Sequence, residues 1–300
     1  DEKQSGQIQY DPKIHKFSSM WWGSEVDTKR FDISGKMGYV NPQIPYQSLG
    51  FQFAYSDHNQ NSYFGNRIYN VNHESLYLNT VYNSIISDTR HKIKTGINFS
   101  CDVYDEQVVN SDYNRKENNI GAFFEYSFDN LDNLNFTAGI RFDNHNLLGA
   151  FVTPRFHLRY TPWGKSAFRF SFGRGRRSAS IFAENQRLFA SSRSINIQND
   201  SGKIYGLSPE IAWNYGLSFL QGFQLFNKKA EINIDFYKTD FQNQVVVDYE
   251  NPTEVNFYNL NGNSFANSLQ LEFNYSPIYL LDIKLAYKYF DVKTQYDSGE

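Results

Sequence analysis

Between residues 134 and 175 hydrophobic and polar positions alternate with a period of two. In LNFTAGIRFD, Leu134, Phe136, Ala138, Ile140 and Phe142 fall on one parity, and Asn135, Thr137, Gly139, Arg141 and Asp143 on the other. In TPRFHLRYTP, Phe156, Leu158 and Tyr160 oppose Arg155, His157 and Arg159; in SAFRFSFGRG, Phe168, Phe170 and Phe172 oppose Arg169, Ser171 and Gly173. This spacing predicts extended strands with one apolar and one polar face. Pro162-Trp163-Gly164-Lys165 predicts the turn between the last two. The pattern recurs at Ile33, Gly35, Met37 and Tyr39, at Leu49, Phe51, Phe53 and Tyr55, over 71–86, 91–102 and 122–128, and in four stretches after residue 210. About twelve strands are clear. Residues 1–30 are less regular: 16–22 predicts a short strand ending at Trp21-Trp22, followed by a charged loop to Arg30.

The connections sort by length. Those near 42–47, 87–90, 129–133, 162–165, 224–229 and 277–281 read as short, and those near 57–69, 103–116, 144–152, 174–207 and 241–256 as long. Strict alternation places all short turns at one end of the sheet, as in outer-membrane barrels with short periplasmic turns and long extracellular loops. A strand of ~10 residues, tilted, spans the ~25 Å lipid-facing band. Tyr39, Tyr55, Tyr126, Tyr160, Trp163 and Tyr275 lie near strand ends, where an aromatic girdle belongs. The fold class expected is all-β, a transmembrane antiparallel barrel of which 12–14 strands are present.

Composition narrows the picture. Aromatics make up 18% and hydrophobics 40%, with mean hydropathy −0.61; a low mean suits a barrel, whose strands expose only alternate residues to lipid. No run approaches the ~20 apolar residues of a membrane helix. A net charge of −3 argues against a nucleic-acid partner. Cys101 is alone and continues the apolar parity of Ile93, Ile97 and Phe99. No charged-then-apolar leader opens the chain and 296–300 reads as cut, so an internal piece of a longer sequence is expected.

GRGRRSASIFAENQRLFASSR at 173–193 and LSPEIAWNYGLSF at 207–219 resemble TonB-dependent outer-membrane receptors, particularly those of Bacteroidota. VTPRFHLRY, NSLQLEFNYSP and the stretch from His91 to Tyr104 extend the resemblance over nearly the whole chain from about Ile8. The resemblance implies a 22-strand barrel closed by an N-terminal plug, importing a scarce bulky nutrient with energy passed by TonB. Residues 1–300 would all be barrel, with plug, TonB box and closing strands absent. It further implies the bacterial outer membrane, contact with its lipid, TonB as a partner through the plug, and a surface lipoprotein as a further candidate partner. The ligand class stays open, a ferric siderophore ahead of cobalamin, haem, another chelate or a glycan; no cofactor is expected.

Candidate binding residues follow. Arg174, Arg176 and Arg177 enter the longest connection, with Glu184, Asn185, Arg187 and Arg193 after them: a basic mouth for an anionic chelate, or groups that pair with one another to hold the loop. Trp21, Trp22, Tyr63, Phe64, Tyr69, Phe182, Phe189 and Tyr205 are expected in exposed connections, where they would stack on a planar ligand or simply pack. Arg141, Arg155, Arg159 and Arg169 share the polar parity of neighbouring strands and are expected to form a ladder facing the lumen and plug. Gly173 and Gly175 lack the Lys-Ser/Thr of a phosphate loop. The six histidines are scattered without zinc-enzyme spacing, so no metal is expected. A passive porin is the main alternative. A barrel enzyme, assembled from Ser178, Ser180 or Asp143 with His145, lacks a nucleophile motif, and no enzyme activity is expected.

Overall fold

The computed structural model describes residues 2–18 and 20–295; Asp1 and the closing residues 296–300, on which the expectation of a cut end rests, lie outside the described residues. In chain order the strands are β1 (Glu2–Gly6), β2 (Gly23–Val40), β3 (Ser48–Phe64), β4 (Arg67–Ile86), β5 (Asp88–Val108), β6 (Ser111–Asp112), β7 (Arg115–Asp129), β8 (Leu134–His145), β9 (Gly149–Tyr160) and β10 (Ser166–Arg177). They continue with β11 (Ser194–Ile197), β12 (Glu210–Leu225), β13 (Lys228–Asn243), β14 (Val245–Asp248), β15 (Glu254–Asn259), β16 (Ser264–Ile278) and β17 (Leu281–Thr294). Helices α1 (Pro12–His15) and α2 (Ile181–Glu184) and a 3-10 turn over Gln186–Ala190 complete the elements. Among the described residues no helix is long and apolar enough to cross a membrane.

Fourteen strands form one antiparallel sheet in which consecutive long strands are neighbours, with β6 attached to β5; β11, β15 and β14 form a separate small sheet. This is the wall of a β-barrel. Paired residues share a face, so one row can be followed across it: Leu134, Tyr160, Phe168, Phe219, Ile234, Leu271 and Tyr287. On that parity the stretches 33–39, 49–55, 76–82, 93–101, 120–128, 134–142, 152–160, 168–172, 213–223, 230–236, 269–275 and 283–289 contain no Asp, Glu, Lys or Arg. Large apolar side chains there stand open, among them Met37 at 74% and Leu217 at 53% exposure. A face that is apolar, exposed and free of charge belongs against lipid. Cys101 sits on it, unpaired.

The strands outrun the membrane at one end. On β3, β4 and β7 the lipid-facing parity gives way to Asp57, Glu74 and Lys116, which lie in one row. Beyond it β2 begins at Gly23 and β3 runs to Phe64, so the charged loop expected before Arg30 and the polar loop expected over 57–69 are both paired strand. The turn between β3 and β4 is Gly65 and Asn66 alone, and that between β8 and β9 covers only 146–148. The connection expected over 103–116 likewise shrinks to 109–114, so the expected alternation in connection length fails at three places. What marks the end is the strand overrun, held by backbone pairing that needs no hydrophobic period. Among the described residues of 16–22 no strand forms either, and α1 precedes the approach to β2. At the other end the turns are tight. Phe226 and Asn227 both have positive φ, the two-residue hairpin geometry that matches strand twist.

Above the membrane the inner face changes character. Phe64, Tyr69, Val71 and Val108 turn it apolar, and the connections 178–209 and 244–263 fold onto it as a cap. Ile181, Phe182, Leu188, Phe189, Leu207, Val255 and Phe257 form the cap core with Tyr69 and Val108. The Phe189 ring stacks on Tyr69 at 5.1 Å and on Phe64 at 5.7 Å. The parallel pairing of β11 with β15 ties the two connections together. The segment after Gly175, expected to be irregular, is thus folded.

Candidate ligand-facing site

The inner face is built from residues alternating with the lipid band, and Arg141, Arg155, Arg159 and Arg169 all lie on it, in register with Thr153, Gly173, Asn135 and Ser218. On the inner face, β7–β10 line an open cavity of about 520 Å³ bordered by Arg141, Asp143, His145, Phe151, Arg155 and Arg177, among others. Two arginines lining it differ in their commitments. Arg141 donates to both Asp143 oxygens at 2.7 Å, and Asn119 Nδ2 donates to Asp143 at 2.9 Å. Arg155 stands between Gly139 and Gly173 in its row, which offer no side chain to pair with it, and it joins none of the ion pairs among the described residues.

Gly121 makes room for the first of these arrangements. A Cβ there would fall 2.4 Å from Asp143 Oδ1 and 2.5 Å from Asn98 Oδ1. Gly121→Ala is expected to push Asp143 off Arg141 and Asn119 and to cost ~1–3 kcal/mol as overpacking. Gly175→Ala, whose Cβ would meet nothing within 4 Å, is the near-neutral control; urea unfolding in lipid vesicles reads both.

At the cavity rim the ladder between β9 and β10 stops at Arg155 and Gly173, whereas β10 stays paired with β12 through Arg177 and Glu210. Side chains bridge the gap. Arg176 donates to the carbonyls of Leu148 at 3.0 Å and Gly149 at 3.1 Å, replacing ladder bonds. The guanidiniums of Arg174 and Arg176 lie 4.5 and 4.6 Å from the Phe151 ring. Arg174 also donates to Gln242 at 3.1 Å and pairs in register with Trp213, on the lipid-side parity. Arg177 binds Glu184 bidentately, at 3.1 and 3.2 Å, and Glu210. Of the two readings of the basic mouth, the contacts match the one in which its arginines hold the rim.

The remaining predicted residues fall in two groups. Asn185 caps α2 through Ile181 O, and Arg187 lies over Tyr249 at 4.7 Å. Tyr63, Tyr69, Phe182 and Phe189 are at most 3% exposed, and Phe64 and Tyr205 are partly buried. These aromatics were expected in exposed connections; strand overruns and cap bury all but Tyr63 by folding against each other, and Tyr63 lies instead under Tyr10, Lys16 and Phe17. Trp21 is half-buried, and Trp22, 37% exposed, is the open one of the set.

The cap is anchored by a buried polar cluster that no sequence motif marks. Arg115 donates to Glu106 at 2.7 Å and to Glu117 at 2.8 Å, and lies over the rings of Tyr104 and Tyr205. Glu106 also accepts from Tyr205 and Tyr69. His145 reaches Glu117 at 3.3 Å, so the cluster adjoins the cavity. All lie above the lipid band. Burial and Glu106 both push the Tyr205 phenol upward. Burial alone would raise the Glu117 carboxyl, but hydrogen bonds from His145 and Arg115 outweigh it and hold the group below its ordinary value. A readable signal existed: Arg115 and Glu117, like Arg141 and Asp143, are opposite charges two apart on one strand face. Among the described residues no three His, Cys, Asp or Glu side chains converge to hold a metal.

The family model for the β-barrel of TonB-dependent receptors matches residues 5–300. The chain belongs to that family. This receptor barrel is therefore an outer-membrane protein of a family of transport receptors, not enzymes. No curated protein matches its sequence. Among solved structures, the Bordetella pertussis alcaligin outer-membrane receptor FauA is 14% identical with a TM-score of 0.61, over 100% of this chain and 50% of that one. The Serratia marcescens hemophore receptor HasR is 12% identical with a TM-score of 0.66, over 98% and 51%. The ferripyoverdine receptor of Pseudomonas aeruginosa is 12% identical with a TM-score of 0.58, over 93% and 42%. At these identities the likeness establishes the fold, and the chain spans about half the length of these receptors.

Proposed function

We propose that this barrel wall is part of an outer-membrane import receptor that captures an anionic metal chelate, a ferric siderophore first, and moves it inward with energy from TonB. Residues 1–300 are barrel throughout in this reading, and plug and TonB contact come from sequence outside them. The observation that carries it is Arg155, which lines the inner-face cavity and joins no ion pair among the described residues. The ligand would enter at the cap end, meet Arg141 and Arg155, and pass the plug-facing pair Arg159 and Arg169 nearer the short turns. Alcaligin and ferripyoverdine, named for two structural relatives, support the ligand class. A hemophore receptor among them keeps haem behind it.

The test is uptake of radiolabelled iron from a panel of ferric siderophores by cells with and without the intact gene. Import reading predicts uptake that needs the gene and stops when the proton gradient is collapsed. Gene-dependent passage that survives the collapse would overturn it in favour of a porin.

A further inference from the structure

The inner wall carries a second basic element, away from the cavity around Arg155. Arg159 is next to last in β9 and Arg169 lies near the start of β10, so both sit by the tight turn at the short-turn end. They are directly opposite in register. Like charges so placed on neighbouring strands destabilise a sheet. Several other inner-face charges are matched, as in Lys94 with Glu125, Arg141 with Asp143 and Lys284 with Glu272; like Arg155, neither arginine joins an ion pair among the described residues.

Ser218 extends the row. It pairs in register with Arg169, is 5% exposed, and its hydroxyl has no hydrogen-bond partner. A buried hydroxyl left unpaired is costly and calls for a partner. Arg159, Arg169 and Ser218 line one cavity of about 390 Å³. Its single lining carboxylate, Asp235, is engaged by Asn233 at 2.6 Å. Asp129, toward the turn, accepts from Leu131 N at 2.9 Å and Asn135 Nδ2 at 3.2 Å. Asp129 and Asp132 line an adjoining hollow with Arg159, and neither comes within ion-pair distance of it among the described residues. Two guanidiniums a strand spacing apart can both donate to one oxyanion, in charge-assisted bonds that convert repulsion into a clamp.

We propose that Arg159, Arg169 and Ser218 form an oxyanion site on the lumen wall at the short-turn end of β9 and β10. Its chemistry is that of a carboxylate or phosphate. The group comes either from a carboxylate of polypeptide lying in the lumen or from a free anion. The site rests on the reading of this face as the lumen, but not on what the receptor transports.

The experiment measures the thermal unfolding midpoint of the full-length protein in phosphate-free detergent. Wild type, Arg169→Gln, Arg169→Lys and the Arg159→Gln/Arg169→Gln double variant are compared with inorganic phosphate and with chloride at matched ionic strength. A site open to free anions gives a phosphate-dependent rise of ~2–4 °C in wild type that both Gln variants lose. A site filled by the protein's own carboxylate gives no phosphate response, a fall of ~2–4 °C in Arg169→Gln, and recovery of most of it in Arg169→Lys. Either result supports the site and identifies the source. If no oxyanion is held, removing an arginine only relieves repulsion. Arg169→Gln would then unfold at the same or a higher temperature with no phosphate response, which overturns the proposal. None of these readouts involves iron or the proton gradient, so failure here and failure of the import reading are separable.

Discussion

Leu217→Arg is expected to block accumulation of the folded barrel in the outer membrane, while Asn214→Arg, three residues away, leaves it intact. Leu217 lies mid-way along the charge-free stretch of β12, 53% exposed, with Phe170 and Phe236 beside it in register. An arginine there must leave its guanidinium in hydrocarbon or distort the wall to reach water. The cost near the bilayer midplane is ~2–4 kcal/mol, which is ~30- to 900-fold in the folding equilibrium at 1.36 kcal/mol per decade. Asn214 shares a row with Gly173 and Thr239 on the opposite face and is exposed toward the lumen. Urea titration of both variants refolded into vesicles checks the contrast. Equal stabilities would mean that the apolar face does not meet lipid.

That prediction draws on the part of the fold that one-dimensional pattern carries best. A lipid-facing residue needs no partner to be recognised: Phe168, Phe170 and Phe172 declare their face by alternating with Arg169, Ser171 and Gly173. The overruns are illegible for the converse reason. At Asp57 and Glu74 the outer face meets water, and at Tyr69 and Val108 the inner face meets the cap, so the polarity of the two faces reverses along a single strand. A reader looking for apolar-out alternation sees it end and infers a loop, although the backbone ladder runs on to Phe64.

The site was legible only as far as facing is local. Arg141, Arg155, Arg159 and Arg169 could be put on one face by parity. Their commitments could not, because these depend on partners set by tertiary structure. Arg177 meets Glu210 and Arg176 meets Leu148 O, 33 and 28 residues away. The cap was hidden more deeply. Its core joins Phe182 to Phe257 and Tyr69, and its small sheet pairs β11 with β15 in parallel, across the whole of β12 and β13. The aromatics of 178–209 looked like exposed ligand stackers because nothing in sequence reveals the surface they cover.

Removing Arg115 is expected to free the cap. Arg115→Ala leaves Glu106 and Glu117, with side chains 3% and 9% exposed, as buried carboxylates without their cation. Breaking a buried charge pair in this way costs ~3–5 kcal/mol. By contrast Glu184→Gln removes a pair whose side chains are 41% and 60% exposed, worth ~0.2–1 kcal/mol. Hydrogen exchange across 178–209 should therefore rise sharply in the first variant and little in the second, with the membrane strands protected in both. The same anchor is sensitive to acid. Because Glu117 titrates lower in the folded protein than its ordinary 4.5, the stability it contributes is fully present above 4.5 and is lost as the pH falls through the folded value. Exchange in the cap should thus be flat at neutral pH and climb below 4.5 once intrinsic exchange rates are divided out. In Glu117→Gln, which keeps the shape but not the charge, part of that climb should be gone and the cap should be looser from the start.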